Sequence, residues 1–216
     1  VLLTKFLDVV YPLVIQIWKL LKVKTIEETI LELKNNKSSI ARFGDGEVLY
    51  LVNKLDLRYQ EYDEKLVSTL EIMLKNKTPN LLIGIPDGYR DVNQFEPDLK
   101  KYTRSQISFN WPKFQRFLDI KTQYWNANIT RLYFGYKDQS KCGHYFELMR
   151  SLWIGKDILL IEGEKSRLGV GNDLFEKANS LRRILGPPHH AYRKIDEIVK
   201  TAVDNSGENT IVLVAM

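Results

Sequence analysis

Along the chain, short runs of continuous apolar residues alternate with longer stretches whose apolar positions return every three or four residues. The runs "SIARF", "NLLIGIP", "RLYFGY", "DILLIEGE", "RRILGPP" and "TIVLVAM" predict strands. The stretches "TIEETILELKNNK", "EVLYLVNK", "DEKLVSTLEIMLKN", "FNWPKFQRFLDIKTQYWN", "DQSKCGHYFELMRSLWIGK", "NDLFEKANSL" and "AYRKIDEIVKTAVDNSG" predict helices. Thr25 with Glu28 three residues on forms a capping box. Leu66, Leu70, Met73 and Leu74 share one helix face, aromatics at 114, 117, 124 and 125 keep helical spacing, and Gly155 stands as a C-cap. Apolar strands separated by helices predict an α/β fold whose parallel sheet is covered on both faces.

Ligands of such sheets bind beyond the carboxyl ends of the strands. Three polar loops fall there: "GDGE" after "SIARF", "DGYR" after "NLLIGIP", and "EKSRLGVGND" after "DILLIEG". In the first, Gly46 lets Asp45 and Glu47 turn toward one point, with Arg42 on the same edge. A hard divalent cation suits such a pair, with water and substrate phosphates filling its other positions. The competing reading is structural: Asp45 caps the following helix and Glu47 favours its dipole. A glycosidase pair must flank the sugar from two sides, which neighbours on one turn do not do.

In the third loop Gly169 and Gly171 free the backbone ahead of a predicted helix, whose N-terminus can take a phosphate, and Arg167 adds a cation. The dinucleotide fingerprint fails: Leu174 and Phe175 stand where a third glycine belongs, and no acid follows near His189 and His190. A glycine loop capped by Asn172 or Asp173 is the structural alternative. In the second loop Asp87 and Arg90 are site candidates, whereas Trp111 and Trp125 are read as core and Tyr89 and Tyr102 as rings able to stack on a sugar.

"SIARFGDGE" together with "GEKSRLGVGNDLFEKANSLRRILGPPHHAY" resembles the GT-D-fold glycosyltransferases, a bacterial family with a member that glucosylates a serine-rich streptococcal adhesin. The resemblance spans roughly residues 25–216. It implies a Rossmann-like domain that uses a sugar nucleotide and a divalent cation, Mn²⁺ or Mg²⁺, held by an Asp-x-Glu motif matching Asp45 and Glu47. The family's Arg-x-Gly-x-Gly-Asn-Asp run matches Arg167, Gly169, Gly171, Asn172 and Asp173. The expected reaction moves a hexose, glucose first, from a donor such as UDP-glucose to a glycan or glycoprotein acceptor. Arg42, Gly44, Asp87, Arg167, Gly169, Gly171, Asn172 and Asp173 form the expected donor-binding set. Asp173 is the expected base, with Glu162 in reserve. A non-catalytic nucleotide-sugar-binding domain and a metal-dependent sugar-nucleotide hydrolase are the alternatives. The family pattern continues past a strand like "TIVLVA" with a Gly-Pro-Thr-type turn, a helix and a strand, so a shortened or truncated domain is expected.

Composition narrows the partners. A net charge of +5 across 216 residues lacks the dense basic tracts of nucleic-acid binders, so no nucleic acid is expected. The lone Cys142 excludes an internal disulfide and fits a reducing compartment, and with His144 it makes too few ligands for zinc. Residues 1–24 are apolar but interrupted by Lys5, Asp8, Pro12, Gln16 and Lys19, which excludes a spanning helix. They predict an amphipathic segment, broken at Pro12, that packs on the domain of residues 25–216. Trp18 with Lys19, Lys22 and Lys24 gives the alternative, a peripheral contact with the inner membrane face of a cytoplasmic protein.

Overall fold

The computed structural model describes residues 2–17, 21–75 and 77–215; Trp18, Lys19 and Met216 of the readings above lie outside them. The chain divides into two compact units, Val1–Leu55 with Asp63–Met149, and Asp56–Tyr62 with Arg150–Met216. Each is α/β, with a parallel sheet flanked by helices.

In the first unit, β1 (Lys22–Val23), β2 (Ser39–Arg42), β3 (Leu81–Ile85) and β4 (Gln123–Asn126) form a parallel sheet in the order β1-β4-β3-β2. Helix α2 (Ile26–Asn36) starts as its sequence predicts. The Glu28 amide donates to Thr25 Oγ1 at 3.2 Å, and the Thr25 amide donates to the Glu28 carboxylate at 2.9 Å. Helices α3 (Asp45–Asn53) and α4 (Glu64–Leu74) follow β2. The buried residues of α4 are Val67 and Leu74, with Leu66, Leu70 and Met73 half-buried beside them, so the predicted face points inward.

Two predicted elements of this unit are displaced or absent. The helix expected across the aromatics at 114–125 lies earlier, as α5 (Pro97–Phe114), with proline in the first turn where no amide donor is needed. Tyr124 and Trp125 instead belong to β4, which pairs with β3 and β1. "RLYFGY" is not a strand either. It makes turns, with a single antiparallel bridge between Tyr136 and Phe95, because Gly135 takes φ +69° and turns the chain out of extension.

Helix α1 (Leu2–Ile17) runs through Pro12 rather than breaking there. Proline removes the amide that would bond the carbonyl of Asp8, and Arg104 of α5 supplies the missing donor at 3.1 Å. Arg104 also pairs with the Asp8 carboxylate at 3.1 Å and lies over the Tyr11 ring, while Ser108 Oγ donates to the Leu7 carbonyl at 2.9 Å. The predicted packing of this segment on its own domain is what the unit contains. Among the described residues, no helix is long and apolar enough to cross a membrane.

In the second unit, β5 (Asp157–Gly163) is the centre of a parallel sheet between β6 (Ser180–Gly186) and β7 (Thr210–Ala215). Ile158 to Ile161 are buried, as a two-sided strand requires, but Leu181, Leu185, Val212 and Val214 of the flanking strands are exposed, so full burial holds only at the centre. Helix α7 (Ile195–Asp204) joins β6 to β7; α6 (Cys142–Arg150) precedes this sheet in the chain. The helix expected at "NDLFEKANSL" is absent, and residues 164–179 form a series of turns. Its carbonyls are taken elsewhere: Trp153 Nε1 donates to Leu174 O at 2.8 Å, and the Gly155 amide to Lys177 O at 2.9 Å. Gly155 caps no α-helix; at φ +65° it turns the chain into β5 after a short 3₁₀ turn, Ser151–Trp153.

Candidate active site

The carboxyl edge of the first sheet is built by the ends of β2, β3 and β4. β2 ends at Arg42, and α3 begins three residues later with Gly44 as its N-cap. Glu47, at the third helical position, folds back so that its Oε2 accepts from the Gly44 amide at 2.7 Å. A Cβ at Gly44 would sit 3.0 Å from that oxygen, so the glycine leaves room for the carboxylate. Part of the structural reading is therefore visible: Glu47, rather than Asp45, caps the helix. Asp45 is exposed and forms no hydrogen bond or ion pair among the described residues. The first turn thus presents a free carboxylate, and beside it a second with one oxygen, Oε1, uncommitted to the cap.

Arg42 lies across this edge. Its Nε donates to the Ala127 carbonyl at 2.7 Å, tying β2 to the 3₁₀ turn Ala127–Thr130 that follows β4. Desolvation and the nearby Arg131 guanidinium hold its pKa below the ordinary arginine value, against the opposing pull of Glu47. Arg42 thus lies in the fields of a second cation, Arg131, and of the Glu47 carboxylate.

Beyond β3, Asp87 is 1% exposed and has both oxygens occupied. Arg90 Nε donates to Oδ1 at 2.8 Å, and the Tyr136 hydroxyl donates to Oδ2 at 2.8 Å. Arg90 also bonds Gln94, and the Asp87 amide donates to Asn128 Oδ1 at 3.3 Å. Burial, then the Asp87 charge, drives the Tyr136 hydroxyl far above its ordinary pKa, so it stays a donor. Asp87 thereby holds Arg90 and Tyr136 in place. Sequence reading singled out Asp87 and Arg90 but missed Tyr136 and Asn128, which only the fold brings to the pair. Of the aromatics, Trp111 and Tyr89 are buried, Trp125 is half-buried and Tyr102 is exposed.

A metal or a sugar-nucleotide cofactor is tested by the donors present. Asp45 and Glu47 offer hard oxygen ligands on one helical turn. Among the described residues no group of three or more His, Cys, Asp or Glu side chains is placed to hold an ion. That suits an ion that keeps water and takes substrate phosphate oxygens, and it does not suit a closed structural site. Cys142 Sγ donates to the Leu132 carbonyl at 3.1 Å, and His144 Nε2 lies 3.4 Å from the Glu27 carboxylate.

The glycine loop belongs to the second unit. Gly169 and Gly171 both take φ +74°. At Gly169 a Cβ would meet the Phe175 ring at 2.4 Å, whereas at Gly171 the space is open. Asn172 Oδ1 accepts from the Leu174 amide at 3.0 Å, the Asx turn its position predicts. Asp173 is exposed and pairs with buried Arg150 at 3.0 Å. Arg167 is exposed and bonds the Ser166 carbonyl. Glu162, 1% exposed on β5, is ion-paired to Arg183, which also bonds the Leu168 carbonyl at 2.7 Å. Burial pushes the Glu162 carboxyl up, but the hydrogen bond from Ser166 and the Arg183 guanidinium outweigh it and leave the group below the ordinary carboxylate value.

Comparison with known proteins places this arrangement. Residues 40–216 match the family described as Glycosyltransferase GT-D fold. Over 180 residues the chain is 34% identical to a glycosyltransferase GlyD of Streptococcus pneumoniae serotype 4, and over 196 residues it is 32% identical to a probable glycosyl transferase Gly of Streptococcus gordonii. These alignments take in 83% and 89% of this chain but 22% and 28% of those proteins, so the chain spans about a quarter of the length of the curated relatives it matches. A solved domain of unknown function 1792, described as a distinct glycosyltransferase fold, is similar with TM-score 0.83 and 31% identity, covering 98% of this chain and 73% of that one. A glycosyltransferase of Streptococcus sanguinis with the same domain gives TM-score 0.83 and 27% identity, covering 90% and 73%. On the extent of these matches, the chain belongs to the GT-D fold glycosyltransferase family.

Proposed function

We propose that this chain is a glycosyltransferase that moves a hexose, glucose first, from a nucleoside diphosphate sugar such as UDP-glucose to a hydroxyl of a glycan or glycoprotein acceptor. The reading is carried by one observation: in a chain of this family, the free carboxylate of Asp45 stands beside Glu47 in the first helical turn after a parallel strand. Asp45 and Glu47 would hold Mn²⁺ or Mg²⁺, which when bound neutralises charge on the departing diphosphate. Arg42 adds a positive charge on the same edge, and Gly44 keeps the approach open. In the second unit, Arg167 offers a cation to phosphate, Gly169 and Gly171 an open backbone, and Asn172 and Asp173 donor contacts. Asp173 is the base proposed for the acceptor proton: its carboxylate reaches solvent, and a substrate hydroxyl would compete with Arg150 for it. Glu162 is the weaker choice, since burial and Arg183 keep it from a substrate hydroxyl. The proposed donor class and the lone Cys142 support a cytoplasmic reaction.

A thermal-shift panel of nucleoside diphosphate sugars with and without Mn²⁺ tests the reading, since a ligand that binds only the native state raises apparent stability by mass action. A shift with UDP-sugars that needs the metal is expected. The Glu47–Gly44 hydrogen bond favours a second reading, in which the acids serve only the helix; a shift indifferent to Mn²⁺ would establish it.

A further inference from the structure

The segment "RLYFGY" presents two large rings to solvent: Tyr133 is 69% exposed and Phe134 52%. Arg131, also exposed, lies over Phe134 with its guanidinium carbon 6.0 Å from the ring centroid. Exposure here does not come from a slack loop. Leu132 is buried and its carbonyl accepts from Cys142 Sγ at 3.1 Å. The Phe134 amide donates to Arg131 O at 3.2 Å, the Glu96 amide to Gly135 O at 2.8 Å, and the Lys137 amide to Gln94 O at 3.0 Å. Gly135 takes φ +69°, and a Cβ there would stand 2.2 Å from a Leu99 methyl, so the turn closes directly on α5. Tyr136 anchors the far end on Asp87. The backbone is pinned on both sides while the two rings between the anchors face outward.

Location gives these rings a use. Arg131 closes the 3₁₀ turn whose first carbonyl, that of Ala127, accepts from Arg42, and Arg42 lies in the fields of both Arg131 and Glu47. The segment that carries the rings therefore begins at a residue whose charge reaches the edge that holds the acids. A pyranose has an apolar C–H face and a rim of hydroxyls, so it needs an open ring to lie on and a polar group at the ring's border. Tyr133, Phe134 and Arg131 supply both at little entropic cost, since the loop is already formed.

We infer that Tyr133 and Phe134, flanked by Arg131, form a stacking platform for a hexopyranose ring. This rests on the glycosyltransferase reading above and deepens it. The ring has two sources, the donor's hexose or an acceptor glycan, and the experiment separates them. Parent and the double variant Tyr133→Ala/Phe134→Ala are compared for affinity toward UDP–Mn²⁺ and UDP-glucose–Mn²⁺, and by saturation-transfer NMR with methyl glucoside and methyl N-acetylglucosaminide. Both rings are exposed, so the variant should keep the parent's melting temperature, and Tyr133→Phe/Phe134→Tyr, which preserves the rings, should behave like the parent.

The expected result is unchanged UDP affinity with roughly tenfold weaker hexose binding, the scale of a lost stacking contact. Loss of the methyl hexoside signal identifies an acceptor platform; loss of the affinity difference between UDP-glucose and UDP identifies a donor platform. Hexose binding unchanged in both arms, or absent in the parent, would overturn the platform even if UDP–Mn²⁺ still binds. An equal loss for UDP itself would overturn it in favour of a nucleobase. If the parent binds hexosides through these rings but no UDP, the platform stands and the transferase reading fails.

Discussion

In the first unit, Asp45 stands exposed with no hydrogen bond or ion pair among the described residues, and Glu47 spends one oxygen on the amide that begins its own helix. In the second unit, Glu162 is buried against Arg183, and Asp173, though exposed, is paired with Arg150. Asp45, Glu47 and Asp173 sit in polar stretches after strands and Glu162 near the end of one, and their residue types alone do not tell them apart. What separates them is whether the surrounding fold supplies a cation. A carboxylate neutralised by its own chain contributes to stability, and one left open at a sheet edge can be completed by a ligand.

One pair of substitutions exploits that contrast. Glu162→Gln removes the charge facing Arg183 and should cost about 2–3 kcal/mol, moderated because Arg183 still reaches water, whereas Asp45→Asn should stay within about 0.5 kcal/mol. Thermal or urea unfolding of the two variants checks the difference; equal losses would erase the distinction between the units. The pH dependence follows the same sign. Glu162 has a folded-state pKa below its unfolded one, so its contribution is present above the ordinary carboxylate range and fades as pH falls through the depressed value.

A second comparison lies inside the glycine loop. Gly169→Ala combines a left-handed backbone with a clash on Phe175 and should cost about 2–4 kcal/mol. Gly171→Ala meets open space and should cost only the conformational strain, about 1 kcal/mol. The larger Gly171→Val should in addition weaken donor binding, measured by calorimetry. If its nucleotide affinity is unchanged, Gly171 has no part in the site.

The smallest effect is a control in the first unit away from the acids. Thr25→Ala removes the α2 cap and should cost about 1 kcal/mol without touching nucleotide binding. The cap also predicts an acid response. The hydrogen bond from Lys24, with those from Thr25, lowers the Glu28 pKa from 4.5 to about 2, so its small contribution should fade as pH falls between those values. Acid titration of the parent beside Thr25→Ala checks this: the variant should show the shallower loss.

How much of this was legible depended on whether the deciding contact was local. The capping box at Thr25 and Glu28 could be read directly, because both partners lie in one turn. The strands β3 and β5 could be read because burial on both faces leaves an unbroken apolar run. β4 could not: it lies in sequence of helical aromatic spacing and is defined by its pairing with β3. The turns at 164–179 replaced a helix because distant amides and an indole claimed their carbonyls. Among site residues, Asp45, Glu47 and Arg42 could be found at a strand end, and the structure places them on one edge. Tyr136 and Asn128 carried no signal, since only the fold brings them to Asp87. Glu162 and Asp173 were visible as acids, while the arginines that neutralise them were not.

The most direct test of the open acidic edge is the affinity of UDP with and without Mn²⁺ for the parent, Asp45→Asn and Glu47→Gln, each variant first shown to be folded. The account predicts that Mn²⁺ strengthens UDP binding to the parent and that both substitutions abolish most of this gain while UDP binding without metal changes little. Glu47→Gln should also lose a little helix stability, and Asp45→Asn none. Parent-like, Mn²⁺-dependent UDP binding in both variants would contradict the account and leave the two acids as helix-capping residues alone.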